Sequence, residues 1–194
     1  MTLSQLLAVA SPDIAAIDAH LTGLPTLERR AQVLALSPKA QAKLFEVAQG
    51  HRKLTTDSMV PKGTPPLTGV AHHGKNSLPA FTSFAKVMCR PSQASYGDKL
   101  WGYNKNPFFI HHVVGPGFYT AYPYKDGEYL VDYTELPQER AADWPQIVPN
   151  TYRLSRFVFY GMQDVLRGVS EHVTIGRAMK GGKWMPNWFV LCRD

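Results

Sequence analysis

The sequence predicts an α+β protein: short helices fill the first quarter, and an antiparallel β-sheet, closed into a barrel, fills the rest. Three observations carry this reading. Helix-start signals recur through the first fifty residues, the apolar period changes from 3.6 to 2 after residue 66, and an Asp126-Gly127 pair stands between two alternating segments.

The helices are taken first. Leu3, Leu6, Leu7 and Ala10 give a first turn or two. Ser11-Pro12-Asp13 offers an N-cap, a proline at the first helical position and an acid in the first turn, after which Ile14, Ile17 and Leu21 share one face before Gly23. Thr26 is the expected cap of a third helix with Leu27, Ala31 and Leu34 inward. Ser37-Pro38 opens a fourth that buries Leu44, Val47 and Ala48 and stops at Gly50. Residues 1–50 thus form a helical segment. Residues 51–66, with their three prolines, read as a linker, and residues 67–194 as the β-domain of a single structural unit.

In the β-domain the spacing predicts strands at 80–90, 100–104 and 108–114. A hairpin follows with arms 118–124 and 128–136 around Lys125-Asp126-Gly127. Glycine takes positive φ at no steric cost, and so tight a connection makes the two arms antiparallel. Residues 137–150, rich in proline and carrying Trp144, read as an excursion that covers a face or rim. Residues 152–160 read as a strand, 164–178 as one or two more, and 188–193 as the last; helical spacing over 162–170 is the alternative there.

Composition narrows the classes. Hydrophobic residues make up 44% and charged residues 19% of the 194, the balance of a globular chain. No window approaches the roughly 20 apolar residues of a membrane helix, and the first ten residues lack a secretory leader's pattern, so a cytoplasmic protein without a membrane partner is expected. Cys89 and Cys192 lack metal or disulfide spacing and are expected as buried thiols. The net charge of +6 favours anionic partners, but the basic residues are dispersed in runs no longer than two, as at Arg29-Arg30. Nucleic acid therefore stands as a possible partner that no basic run supports.

All nine tyrosines, all four tryptophans and eight of nine phenylalanines follow residue 80. A closed barrel of about eight strands holds packed side chains or one small ligand. Such aromatics would line its cavity, while Tyr hydroxyls and Trp N–H groups orient the guest; core filling explains the same residues equally well. The strings Tyr160-Gly-Met-Gln-Asp164-Val-Leu-Arg167-Gly-Val169, Val173-Thr-Ile-Gly176-Arg-Ala178 and Trp188-Phe-Val-Leu-Cys-Arg193 resemble the closing strands of lipocalin-like proteins, including the family with a Gly-x-Trp-x-Gly motif. The chain has Leu100-Trp101-Gly102-Tyr103 in place of that motif, so the resemblance implies a barrel and not the family's activity.

The expected ligand is small, apolar or aromatic, with an acidic group as an option. The candidate binding residues are His73, Lys75, Asn76, Trp101, Tyr103, His112, Tyr119 and Tyr133. Lys75 and Asn76 are the groups for an anionic head. No cofactor is expected. Two other classes compete: an interaction protein docking nucleic acid or an acidic protein, and a metal-dependent enzyme in which one histidine from each pair, His72 or His111 among them, converges with His172 or Glu171. Asp132, Glu135 and Asp164 are candidate acids or bases if their apolar strands bury them. Gly168-Val-Ser170-Glu-His172 lacks the second glycine of a nucleophile elbow, and Gly181-Gly182-Lys183 lacks phosphate-loop spacing.

Overall fold

The computed structural model describes residues 1–79, 82–106, 115–152 and 154–194. Its central feature is a closed antiparallel barrel in which eight strands follow one another in chain order and the last pairs with the first. The strands are β1 (Val70–Asn76), β2 (Ser83–Cys89), β3 (Leu100–Lys105), β4 (Phe118–Pro123), β5 (Tyr129–Asp132), β6 (Met162–Gly168), β7 (Val173–Lys180) and β8 (Lys183–Arg193). Among the described residues the α-helices are α1 (Leu3–Ala8), α2 (Ile14–Gly23), α3 (Thr26–Leu34), α4 (Pro38–Val47), α5 (Thr56–Met59) and α6 (Ser155–Val158). The α+β reading and the closed barrel both hold. The expected strand at 108–114 lies outside the described residues.

Caps set the helices, with two changes from expectation. Ser37 accepts from Ala40 N and Pro38 takes the first position of α4, as its sequence predicts. Helix α2 starts later than Ser11, because Asp13 is its cap, accepting from Ala15 N. Helix α3 has Thr26 as its first residue rather than its cap. Its inward face is also rotated: Arg29 and Val33 are buried, whereas Leu27 is 71% exposed. Together α1–α4 bury Leu3, Leu7, Ile17, Leu21, Val33, Leu36, Leu44 and Phe45 against Val173, Ile175, Val190 and Cys192 on the outer face of β7 and β8.

Alternation along each strand sends neighbours to opposite sides. Met88, Leu100, Tyr119, Tyr129, Val131, Tyr133, Leu166, Phe189 and Leu191 form one cluster inside the barrel. Leu54, Met59 and Val60, from the segment expected as a linker, join this inner cluster. That segment closes one end of the barrel: Leu54 N donates to Gly127 O at 2.8 Å, and Thr56 Oγ1 donates to Asp98 O at 3.0 Å. The excursion over 137–150 covers the opposite outer face, where Ala141 and Trp144 pack on Val87, Cys89, Trp101, Tyr103 and Phe118. Both cysteines are buried free thiols.

Three glycines shape the interior. Gly74 faces Phe84, Gly102 faces Tyr119 and Gly176 faces Phe189 as cross-strand partners. In each pair the ring lies over the glycine, where an added Cβ would meet ring carbons at 2.7, 2.1 and 2.2 Å. Glycine on one strand therefore fixes an aromatic ring from the next.

The hairpin at Lys125-Asp126-Gly127 is present, with Asp126 at φ 57° and Gly127 at φ 78°. Its second arm ends at Asp132, sooner than expected. The expected strand over 152–160 is instead the helical turn α6, in which Phe159 N donates to Ser155 O at 2.7 Å. The Phe157/Phe159 alternation imitates a strand, but β5 pairs with β6 from Gln163 onward, so the residues before it satisfy their backbone locally. Residues 162–168 form a strand, which removes the helical alternative. Among the described residues, no helix is long and apolar enough to cross a membrane.

Candidate functional site

The end of the barrel opposite α5 opens into a cavity of about 360 Å³. Phe84, Phe159, Met162, Ala178 and Phe189 form its apolar walls, and Lys86, Asn104, Tyr133 and Asp164 meet as its polar floor. Asn76, Asn106, Lys180 and Asn187 also line it, and Leu78, Phe157 and Val158 stand exposed as an apolar rim.

The floor brings four strands together. Lys86 follows Phe84 and precedes Met88 at the inward positions of β2, so its side chain enters the barrel and is only 2% exposed. Its ammonium donates to Asp164 Oδ2 on β6 at 2.9 Å, to Asn104 Oδ1 on β3 at 3.1 Å and to the Tyr133 hydroxyl, just past β5, at 2.5 Å. The Tyr133 oxygen also accepts from Asn104 Nδ2 at 2.9 Å, while its own proton is donated to Asp164 Oδ2 at 3.2 Å. Three ammonium donors thus meet three oxygens. The rings of Tyr119, Tyr133 and Phe189 surround the same nitrogen, each with its centroid 5.0 Å away.

Electrostatics follow from burial. Desolvation holds the Lys86 ammonium below its ordinary value, opposed by the Asp164 carboxylate. Burial pushes the Tyr133 hydroxyl well above the usual tyrosine range, and the negative charge of Asp164 adds to the effect. Every hydrogen bond of Asp164 among the described residues uses Oδ2, which leaves Oδ1 as an acceptor for a guest. At the mouth, Lys180 makes no ion pair among the described residues.

Of the sequence-predicted residues, Asn76 and Tyr133 line the cavity, and Tyr119 is buried beneath its floor with its hydroxyl donating to Val87 O at 3.4 Å. Trp101 and Tyr103 point outward, under Trp144 and Tyr96. His73 and Lys75 share the outer side of β1, where His73 lies 3.4 Å from Asp194. His111 and His112 fall outside the described residues. His72 points inward at the closed end, its Nε2 donating to Met59 O at 2.9 Å. His172 lies in the β6–β7 turn at that same end. Among the described residues, no group of three or more His, Cys, Asp or Glu side chains stands close enough to hold a metal.

The carboxylate candidates separate similarly. Asp164 is on the cavity floor, Asp132 bonds Tyr122, Thr134 and Gln163 on the outer side, and Glu135 pairs with Lys99 at the surface. Lys86 and Asn104 were not singled out by sequence, although the Phe84-Lys86-Met88 spacing places a lysine on an apolar strand face.

Comparison with known proteins returns no match among family models, curated proteins or solved structures. The fold and cavity define the chain as a closed antiparallel barrel, open at one end, with a polar floor beneath apolar walls.

Proposed function

We propose that the protein binds a small apolar or aromatic molecule inside its barrel, in the manner of a lipocalin-like carrier. The observation that carries this reading is the cavity itself: about 360 Å³, apolar on its sides and converging on one buried polar cluster. Ligand sites commonly have roughly 300–1,000 Å³, mostly apolar walls and a few placed polar groups. Phe84 and Phe189, whose rings meet edge to face at 5.9 Å, give a surface for an aromatic body.

The floor sets the polar preference. Lys86 is already matched by Asp164, so the floor is close to neutral and favours an uncharged oxygen or N–H group over a second carboxylate. An acidic group on the ligand is better served at the mouth, beside Lys180. Thermal unfolding in the presence of arylalkanols and arylalkanoic acids tests the reading. A ligand at 100 times its dissociation constant adds about 2.7 kcal/mol, and Lys180→Glu should weaken the acids while leaving the alcohols unchanged. No stabilisation by any member of either series would overturn the proposal.

A further inference from the structure

We infer that the barrel captures its ligand covalently when that ligand carries an aldehyde, by forming an imine with Lys86. The inference rests on the binding reading above and extends it to a chemical class. Its basis is the placement of one primary amine at the floor of an apolar cavity, between a carboxylate at 2.9 Å and a phenol at 2.5 Å.

An amine must shed its proton before it can attack a carbonyl, and the product must lose water. Both requirements have a group in place. Proton transfer along the Lys86–Asp164 hydrogen bond yields a neutral amine and a carboxylic acid, and the apolar walls lower the cost of that step. Burial also holds the ammonium below its ordinary value. The nitrogen lone pair forms the C–N bond, the C=O π pair moves to oxygen, and that oxygen takes the proton from Asp164. The carbinolamine nitrogen returns a proton to the carboxylate. The hydroxyl then departs as water with that proton, passed from Asp164 through the Tyr133 hydroxyl 3.2 Å away, which turns to hand its own proton to the leaving oxygen. The sum is amine plus aldehyde giving imine plus water, with no oxidant or reductant. The protonated imine keeps its positive charge beside Asp164, where the ammonium stood.

Cinnamaldehyde is the probe, with cinnamyl alcohol as its non-carbonyl counterpart. Wild-type protein is incubated with the aldehyde and cyanoborohydride, and the reduced adduct is located by peptide mass spectrometry. Lys86 should be modified about tenfold or more over any surface lysine, because the bound aldehyde is held at high effective concentration. Lys86→Arg, which keeps the positive charge but has no primary amine, should lose that adduct. Ala178→Trp, which keeps Lys86 but fills the space above it, should also lose the adduct, and serves if the arginine variant does not fold. Alcohol binding with labelling spread evenly over surface lysines would overturn the imine and leave the binding reading standing. Failure of both compounds to bind would overturn both.

Discussion

Lys86 and Asp164 are charged residues held inside a protein that gains little from their attraction alone, since desolvation offsets most of it. Removing one partner is another matter. Lys86→Met should destabilise the fold by on the order of 3 kcal/mol by leaving Asp164 buried without its cation. Adding Asp164→Leu should recover most of that loss, which urea unfolding of the single and double variants would reveal. His72 supplies a pH-dependent counterpart at the closed end. Burial lowers its pKa from 6.5 to about 4, so between these values the unfolded chain binds a proton that the folded one refuses. Stability should fall as pH drops through that window, by up to about 3 kcal/mol. His72→Gln should flatten the slope in denaturant titrations at pH 7, 5.5 and 4. An unchanged slope would count against the buried, neutral imidazole. At this scale the sequence was partly readable. Asp164 stood out as a carboxylate in an apolar strand, but its partner lies 78 positions away, and only barrel closure brings the two together.

The elements were more legible where local chemistry decides and less so where pairing does. Ser37-Pro38 and the Asp126-Gly127 turn act through their own backbone, so their positions survive into the structure. The α6 turn resembles a strand in sequence because alternating Phe157 and Phe159 satisfy strand spacing, whereas strand formation needs a neighbour to receive the backbone bonds. Segment 51–66 looked like a linker because proline and threonine dominate it, yet Leu54, Met59 and Val60 fill the barrel's closed end. The glycine–aromatic pairs could not be recognised until register was known. They make a firm prediction: Gly102→Ala would place a methyl 2.1 Å from the Tyr119 ring. Overpacking of this kind costs about 1–3 kcal/mol. The variant should melt lower than wild type, and an unchanged midpoint would mean that the ring moves freely.

For the whole molecule, the helices brace the barrel on the side away from the 137–150 excursion, and the cavity lies within the strands. Arg167 on β6 joins these parts: it donates to Glu128 at 2.7 Å and to Phe45 O at 2.7 Å, and its guanidinium lies 3.9 Å from the Phe45 ring centroid. Fold class was readable from the change of period and the Asp126-Gly127 hairpin, and barrel closure from the need of six or more short antiparallel strands to hide their edges. The site was readable only in part: Asn76, Tyr133 and Asp164 do line the cavity, but half of the expected tyrosine and tryptophan contacts face outward, because Trp101 and Tyr103 obey strand alternation as well as any inward residue does. The most direct test of the central claim is titration calorimetry of wild type and Ala178→Trp with anilinonaphthalene sulfonate, an apolar aromatic anion. One saturable site in wild type, lost in the folded variant, is the result expected of a barrel that holds its ligand above Lys86. Equal binding by both proteins, or binding by neither, would contradict it.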